Sequence, residues 1–193
     1  MFIHVKRTAL AAALLFSVSV FATSPQEIVK KAVSKVLHTL DSKKSKKEKR
    51  QIITEVYHSN FDLEKMAANT LKSDYKKLDD AQKKEFADKF GRFVLEFYLD
   101  KIDKYERNKI EFAGEEIKGN RATVMTLLEY QGKMAKVNYM MTQKGEQWRV
   151  YDFEVEGVRL SSTYRSQFAK VLKENEFEGL MGELNKLLAK YKK

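Results

Sequence analysis

The feature that most constrains the fold is a change of period at Lys109. Upstream of it, apolar residues recur every three or four positions; downstream, they alternate with polar ones. A period near 3.6 belongs to helices with one buried face and a period of 2 to half-buried strands. Four alternating runs follow, at about 109–117, 121–130, 134–143 and 148–155. Their connectors, Lys118-Gly119-Asn120, Gln131-Gly132-Lys133 and Lys144-Gly145-Glu146, are short and centred on glycine. Links of that length make hairpins rather than crossovers, so the sheet is expected to be an antiparallel meander.

Alternation also assigns faces. Val124 and Leu128 point inward from the second run, Val137, Tyr139 and Met141 from the third, and Tyr151, Phe153 and Val155 from the fourth, opposed by Lys136, Asn138, Asp152 and Glu154. One face is therefore apolar and aromatic, and helices must cover it. Ser24-Pro25-Gln26-Glu27 combines a capping serine, a proline suited to the first helical position and a glutamate that completes a capping box. Apolar spacing carries that helix to about Leu40. Ile52, Ile53, Val56 and Tyr57 mark a second helix, and Asp62 can cap a third. The longest run follows Asp79-Asp80 and places Phe86, Phe90, Phe93, Val94, Phe97 and Tyr98 on one face. Two further helices begin near Ser161 and near Phe177. The expected fold is α+β: a helical half over 24–106 packed on one face of a four-stranded antiparallel sheet over 109–156, closed by C-terminal helices over 161–190.

Residues 1–22 stand apart from this fold. Lys6 and Arg7 precede an uncharged apolar run from Ala9 to Phe21, and small residues end at Ala22. That is the pattern of a signal peptide cleaved after Ala22, with residues 23–193 left as a single domain. The run of 13 residues is shorter than the roughly 20 a spanning helix needs. The chain has no cysteine, which excludes disulfides, thiolate metal sites and a lipidated N-terminal cysteine. The expected location is the periplasm of a two-membrane bacterium. Losing Lys6 and Arg7 lowers the formal charge from +10 to +8, and export sets nucleic acid aside as the partner. Positive charge is densest in KKSKKEKR, Lys43 to Arg50, where six cations surround Glu48. This segment reads as a solvated helix start or as a docking patch for anionic lipid or an acidic partner.

Catalysis finds little support. Ser161, Ser162 and Thr163 form a hydroxyl cluster, but no G-x-S-x-G context surrounds them. His38 and His58, the histidines of the expected mature chain, fall on separate helices. No histidine or carboxylate spacing suits a metal. The chain is therefore expected to have no catalytic residue, no metal site and no cofactor. The hydroxyls read instead as caps for the helix that follows the turn at Gly157.

Three segments carry a family resemblance: Trp148-Arg149-Val150-Tyr151-Asp152, Glu156-Gly157-Val158 and Tyr164-Arg165-Ser166-Gln167-Phe168. Together with Phe61-Asp62, Met66-Ala67 and the long aromatic helix, they resemble the MlaC or toluene-tolerance family of periplasmic phospholipid-binding proteins, across essentially the whole mature chain. Arg159, Ser161 and Ser162 depart from the more apolar or amide residues of that pattern. The resemblance implies a cystatin-like or nuclear-transport-factor-like curved sheet. It implies a monomeric carrier, not an enzyme, with a phospholipid as cargo. The partners it implies are an inner-membrane ABC transporter bearing an MCE-domain ring and an outer-membrane lipoprotein–porin complex, in the upkeep of outer-membrane lipid asymmetry. A hopanoid or another hydrophobic ligand is the alternative cargo, and an enzyme on the same fold is the remaining alternative function.

A carrier has to return to two acyl tails what water withholds. At roughly 0.8 kcal/mol per methylene, about thirty methylenes represent on the order of 24 kcal/mol. Only a deep apolar cavity supplies this, at the upper end of the usual range of about 300–1,000 Å³ or beyond it. The side chains expected to line it are Phe90, Phe93, Val94, Phe97 and Tyr98, then Val124, Leu128, Val137, Tyr139, Met141, Tyr151 and Phe153, and Tyr164. The same stripe also suits an ordinary packed core, and periodicity does not separate the two. Arg165 lies at a helix start, against the favourable dipole direction, and so needs a partner. That partner is expected to be a carboxylate such as Asp152, or alternatively a phosphate at the pocket mouth.

Overall fold

Local chemistry sets most of the helix starts in a computed structural model, which describes residues 23–102, 109–130 and 132–191. The expected leader with its cleavage after Ala22, and residues 103–106 at the expected end of the helical half, lie outside the described residues. Helix α1 (Pro25–Asp41) is capped by Ser24, whose hydroxyl accepts from the Glu27 amide. Helix α2 (Lys46–Asn60) starts at a full capping box between Ser45 and Glu48. Helix α3 (Leu63–Leu71) is capped by the Asp62 carboxylate. Helix α4 (Asp80–Ile102) follows a reciprocal pair, in which the Gln82 amide donates to Asp79 at 2.8 Å and the Asp79 amide donates to the Gln82 side chain at 3.1 Å.

The strands are β1 (Ile110–Lys118), β2 (Arg121–Tyr130), β3 (Lys133–Lys144), β4 (Gln147–Val155) and β5 (Val158–Arg159). They form one antiparallel sheet in the order β1-β2-β3-β4-β5. The sheet thus has five strands rather than four. Glu156 (φ 49°) and Gly157 (φ 81°) both adopt left-handed backbone, which folds the chain straight back on β4. Gly157 starts a short fifth strand instead of releasing the chain outward. Helix α5 (Leu160–Ala189) follows and is broken at Asn175 and Glu176, which leave helical geometry, so two helical pieces close the chain as expected.

Two packed regions support the fold. In the larger, Phe86, Phe90 and Phe93 of α4 meet Phe168 and Tyr164 of α5. The rings of Phe90 and Phe168 cross edge to face at 5.7 Å, and those of Phe93 and Tyr164 at 5.1 Å, the arrangement the ring quadrupole favours. The smaller joins Val29 of α1 to Ala122, Val124, Met141, Trp148 and Val150 of the sheet.

A buried carboxylate fixes how α3, β4 and α5 meet. Asp152 is fully buried and accepts from the Ser161 hydroxyl (2.6 Å), the Ser161 amide (3.2 Å), the Asn69 side chain (2.7 Å) and the Phe153 amide (3.0 Å). It therefore caps α5, the task expected of residues 161–163. Ser161 instead gives its proton to Asp152, and Thr163 bonds back to the Arg159 carbonyl. Arg165 does not pair directly with Asp152. Its guanidinium donates to the Asn69 carbonyl in the last turn of α3 (3.1 Å) and to Ser161 Oγ (3.4 Å). The carbonyl end of α3 carries negative dipole charge, which is why a backbone oxygen serves where a carboxylate was expected. Asp152→Ala should lower the free energy of unfolding in urea by roughly 3 kcal/mol or more, because it strands several buried donors. Ser161→Ala should lower it by about 1 kcal/mol.

Candidate functional site

Between the helices and the sheet lies a cavity of about 540 Å³. It falls in the middle of the range for ligand sites rather than at the upper end expected for two acyl chains. Helix α1 forms one wall with Ile28, Val29, Ala32, Val33, Val36, Leu37 and Leu40. The end of α2 adds Ile53, Val56, Tyr57 and Asn60, followed by Phe61. The C-terminal half of α4 adds Val94, Leu95, Phe97, Tyr98 and Leu99, and the sheet closes the space with Ile110, Leu128, Ala135, Val137, Tyr139, Val150, Phe153 and Val155.

Two of the four polar side chains in this wall have backbone partners. The Tyr57 hydroxyl donates to the Gly91 carbonyl at 3.1 Å, and the Asn60 amide donates to the Val56 carbonyl at 2.7 Å. Burial raises the phenol pKa of Tyr57, and it raises that of Tyr98, with smaller contributions from the nearby Tyr164 and Tyr139 phenols. These hydroxyls are neutral across the physiological range. The wall offers apolar contact rather than charge.

Seven of the side chains expected here do line the cavity: Val94, Phe97, Tyr98, Leu128, Val137, Tyr139 and Phe153. The other six lie elsewhere, for three reasons. Phe90, Phe93 and Tyr164 are consumed in the aromatic packing between α4 and α5, because the N-terminal half of α4 faces a helix and not a space. Val124 and Met141 lie on the inner sheet face but beneath Val29, where the first turns of α1 sit directly on the strands. Tyr151 is displaced by a β-bulge: Met140 pairs with Asp152 and Met141 with Val150, so Tyr151 has no partner on β3. The extra residue shifts the alternation, and Val150 takes the inward position. The Tyr151 ring instead lies 5.3 Å from the Lys65 ammonium. Neither α3 nor α5 contributes a described residue to the cavity wall, so Arg165 is not among the lining side chains.

The residues missed by periodicity are mainly those of α1. Its apolar stripe was legible, but the reason for it was not. Ile28, Ala32, Val33, Val36, Leu37 and Leu40 are half-buried rather than buried, since the surface they turn inward faces empty space. Polar contacts at both ends help to hold the helix in place. The Glu115 carboxylate of β1 accepts from the Gln26 amide at 2.7 Å, and Lys49 of α2 donates to the Leu40 carbonyl at 2.6 Å.

Comparisons with known proteins bear on what occupies such a space. A family model described as MlaC protein matches residues 30–186. The intermembrane phospholipid transport system binding protein MlaC of Haemophilus influenzae is 22% identical over 186 residues, an alignment covering 91% of this chain and 87% of the relative. The solved structure of the phospholipid-binding protein from Ralstonia solanacearum in complex with a phospholipid superposes with a TM-score of 0.78 at 21% identity, covering 89% of this chain and 100% of that one. At that identity the likeness is one of fold.

Packed core and cavity wall should respond differently to truncation. Phe90→Ala is expected to lower the unfolding free energy by about 3–5 kcal/mol, since it leaves a new void in a filled region. Val36→Ala, which only enlarges an existing space, should lower it by less than about 1.5 kcal/mol. Urea titration of the two variants beside the parent measures the difference.

Proposed function

The chain belongs to the MlaC family, and from that premise we propose that it is a phospholipid carrier that holds acyl chains in the cavity between α1, α4 and the sheet. The observation that carries the reading is the chemistry of the wall. Among the described residues 25 line it, of which only Asn60, Tyr57, Tyr98 and Tyr139 have polar side-chain atoms, and the Asn60 and Tyr57 groups bond to backbone oxygens. A water in a cavity needs two to four polar partners, and this wall leaves few available. An acyl chain needs none.

The magnitudes point the same way. Extrapolating the cost of core voids, roughly 24 cal/mol per Å³, to the 540 Å³ here gives on the order of 13 kcal/mol. That is comparable to the whole stability of a typical domain, about 5–15 kcal/mol. An empty cavity of this size is not a resting state for a chain without disulfides. Either a lipid fills it or α1 moves inward.

In this reading the chain works in the periplasm as a monomer. It passes a glycerophospholipid between an outer-membrane lipoprotein–porin complex and an inner-membrane ABC transporter with an MCE-domain ring, and so helps to maintain outer-membrane asymmetry. Its part is to shield the tails in transit; direction comes from the partners and from ATP. No residue is given a catalytic role, and Ser161 in particular is accounted for by its bond to Asp152. The support for the partners is family membership and the resemblance of the strand-to-helix segments around Trp148 and Tyr164.

Protein purified without detergent should carry phospholipid detectable by native mass spectrometry, and preparations free of any lipid would overturn the reading. Ala32→Trp, which places an indole in the cavity, should reduce the carried lipid several-fold. Delipidated protein should melt at a lower temperature than loaded protein, by about 2–4 °C for each kcal/mol of stabilisation lost.

A further inference from the structure

The corner between α1 and α2 concentrates charge that the fold itself does not use. Over residues 41–50, six cations face two acids, Asp41 and Glu48, leaving a net charge of +4. Some of these groups have structural tasks. Arg50 pairs with Glu96 of α4, and Lys49 binds the last turn of α1 through the Leu40 carbonyl. Glu48 is held in the capping box, where the Ser45 hydroxyl and amide both donate to its carboxylate and keep its pKa below the usual value. Lys43, Lys44 and Lys47 are exposed, and their ammonium groups make no hydrogen bond or ion pair among the described residues.

This corner is neither mobile padding nor remote from the cavity. The Ser42 amide and hydroxyl both bond to the Thr39 carbonyl, and Ser45 caps α2, so backbone contacts fix the turn at both ends. Leu40, three residues before Lys43, and Ile53, six after Lys47, both line the cavity. At 1.5 Å rise per residue, Lys47 stands about 9 Å along α2 from that wall.

We propose that Lys43, Lys44 and Lys47 form a docking surface for an anionic lipid bilayer, bringing this end of the cavity against the headgroups from which or to which a lipid moves. The inference rests on the carrier reading. A bilayer fits better than an acidic protein because of what the corner lacks. Residues 42–47 include no apolar or aromatic side chain to anchor a protein interface, where aromatics and arginine are enriched and lysine is depleted. Unpaired lysines on a fixed turn suit a diffuse negative surface. Each contributes on the order of 1 kcal/mol near such a surface, enough together for contact that is readily reversed.

The test compares the parent protein with the triple variant Lys43→Gln, Lys44→Gln, Lys47→Gln. Both are sedimented with vesicles of equal parts phosphatidylglycerol and phosphatidylcholine, and with vesicles of phosphatidylcholine alone. The parent is expected to bind the mixed vesicles selectively and to release them as salt rises. The triple variant should bind them about 100-fold more weakly, with unchanged urea midpoint and unchanged co-purified lipid. Parent binding that ignores phosphatidylglycerol, or a variant that binds as the parent does, overturns the inference. Preferential capture of the parent by soluble polyglutamate over mixed vesicles overturns it in favour of an acidic protein partner. Co-purified lipid is measured separately, so its absence from both proteins counts against the carrier reading without altering the vesicle result.

Discussion

The Asp152 carboxylate is the interaction on which the rest of the structure depends. A fully buried ion is tolerated only when its lone pairs are taken, and here four donors from α3, β4 and α5 take them. The bulge at Tyr151 belongs to the same arrangement. It lets Asp152 reach the helices on one side while Val150 and Phe153 present their side chains to the cavity on the other. The carboxylate also sits at the positive end of α5, where its charge is favourable, and Ser161 links it to the otherwise ill-placed Arg165. Two of the departures from the family pattern acquire a role here. Ser161 is the hydroxyl in that link, and Arg159 pairs with Glu154 at 3.3 Å.

With α3, β4 and α5 locked together, the domain divides into a solid half and a hollow half, and α4 runs through both. Its first turns carry Phe86, Phe90 and Phe93 into full burial; its last turns carry Phe97 and Tyr98 to a surface that is only half covered. A helix with one continuous aromatic stripe thus serves as core at one end and as wall at the other. What changes is the opposing element, which is α5 at one end and empty space at the other.

That division explains how much was legible in the sequence. Helix starts, hairpins and strand ranges follow from local chemistry at Ser24, Asp62, Asp79 and the connector glycines, and these were readable, whereas the capping box at Ser45 went unread inside the basic run. The fifth strand was not, because two residues after Glu156-Gly157 are too few to show a period. The bulge was not, because one extra residue between Val150 and Asp152 leaves no compositional trace. The cavity was readable only in part, for a deeper reason. A period of 3.6 or 2 reports that a face is apolar, and Phe93 and Phe97 satisfy it equally. Whether the opposite side is filled depends on elements far away in the chain. Residual exposure separates Phe93 from Phe97 and marks the α1 stripe, whereas Val94, Leu99 and Val150 line the cavity and are still buried.

A hollow domain without disulfides has to find its stability in less material. Fully burying a large apolar side chain contributes about 1.5–3 kcal/mol, while one that faces a void recovers only part of this. The side chains of α1 and the last turns of α4 are in that position, so stability must be concentrated elsewhere. Phe86, Phe90, Phe93 and Phe168, with at most 1% of their surface exposed, are packed ring against ring where no ligand reaches. Aromatic residues suit the task because each buries a large area with few rotatable bonds to freeze. The same accounting makes α1 the movable wall. It lies outside the Asp152 network, rests on the sheet through Val29 and on the larger cluster through Val36 and Leu40, and its polar contacts include one carboxylate at its start and one lysine at its end. Displacing it would disturb the small cluster around Val29 but leave the packing of Phe86, Phe90, Phe93 and Phe168 and the Asp152 network in place.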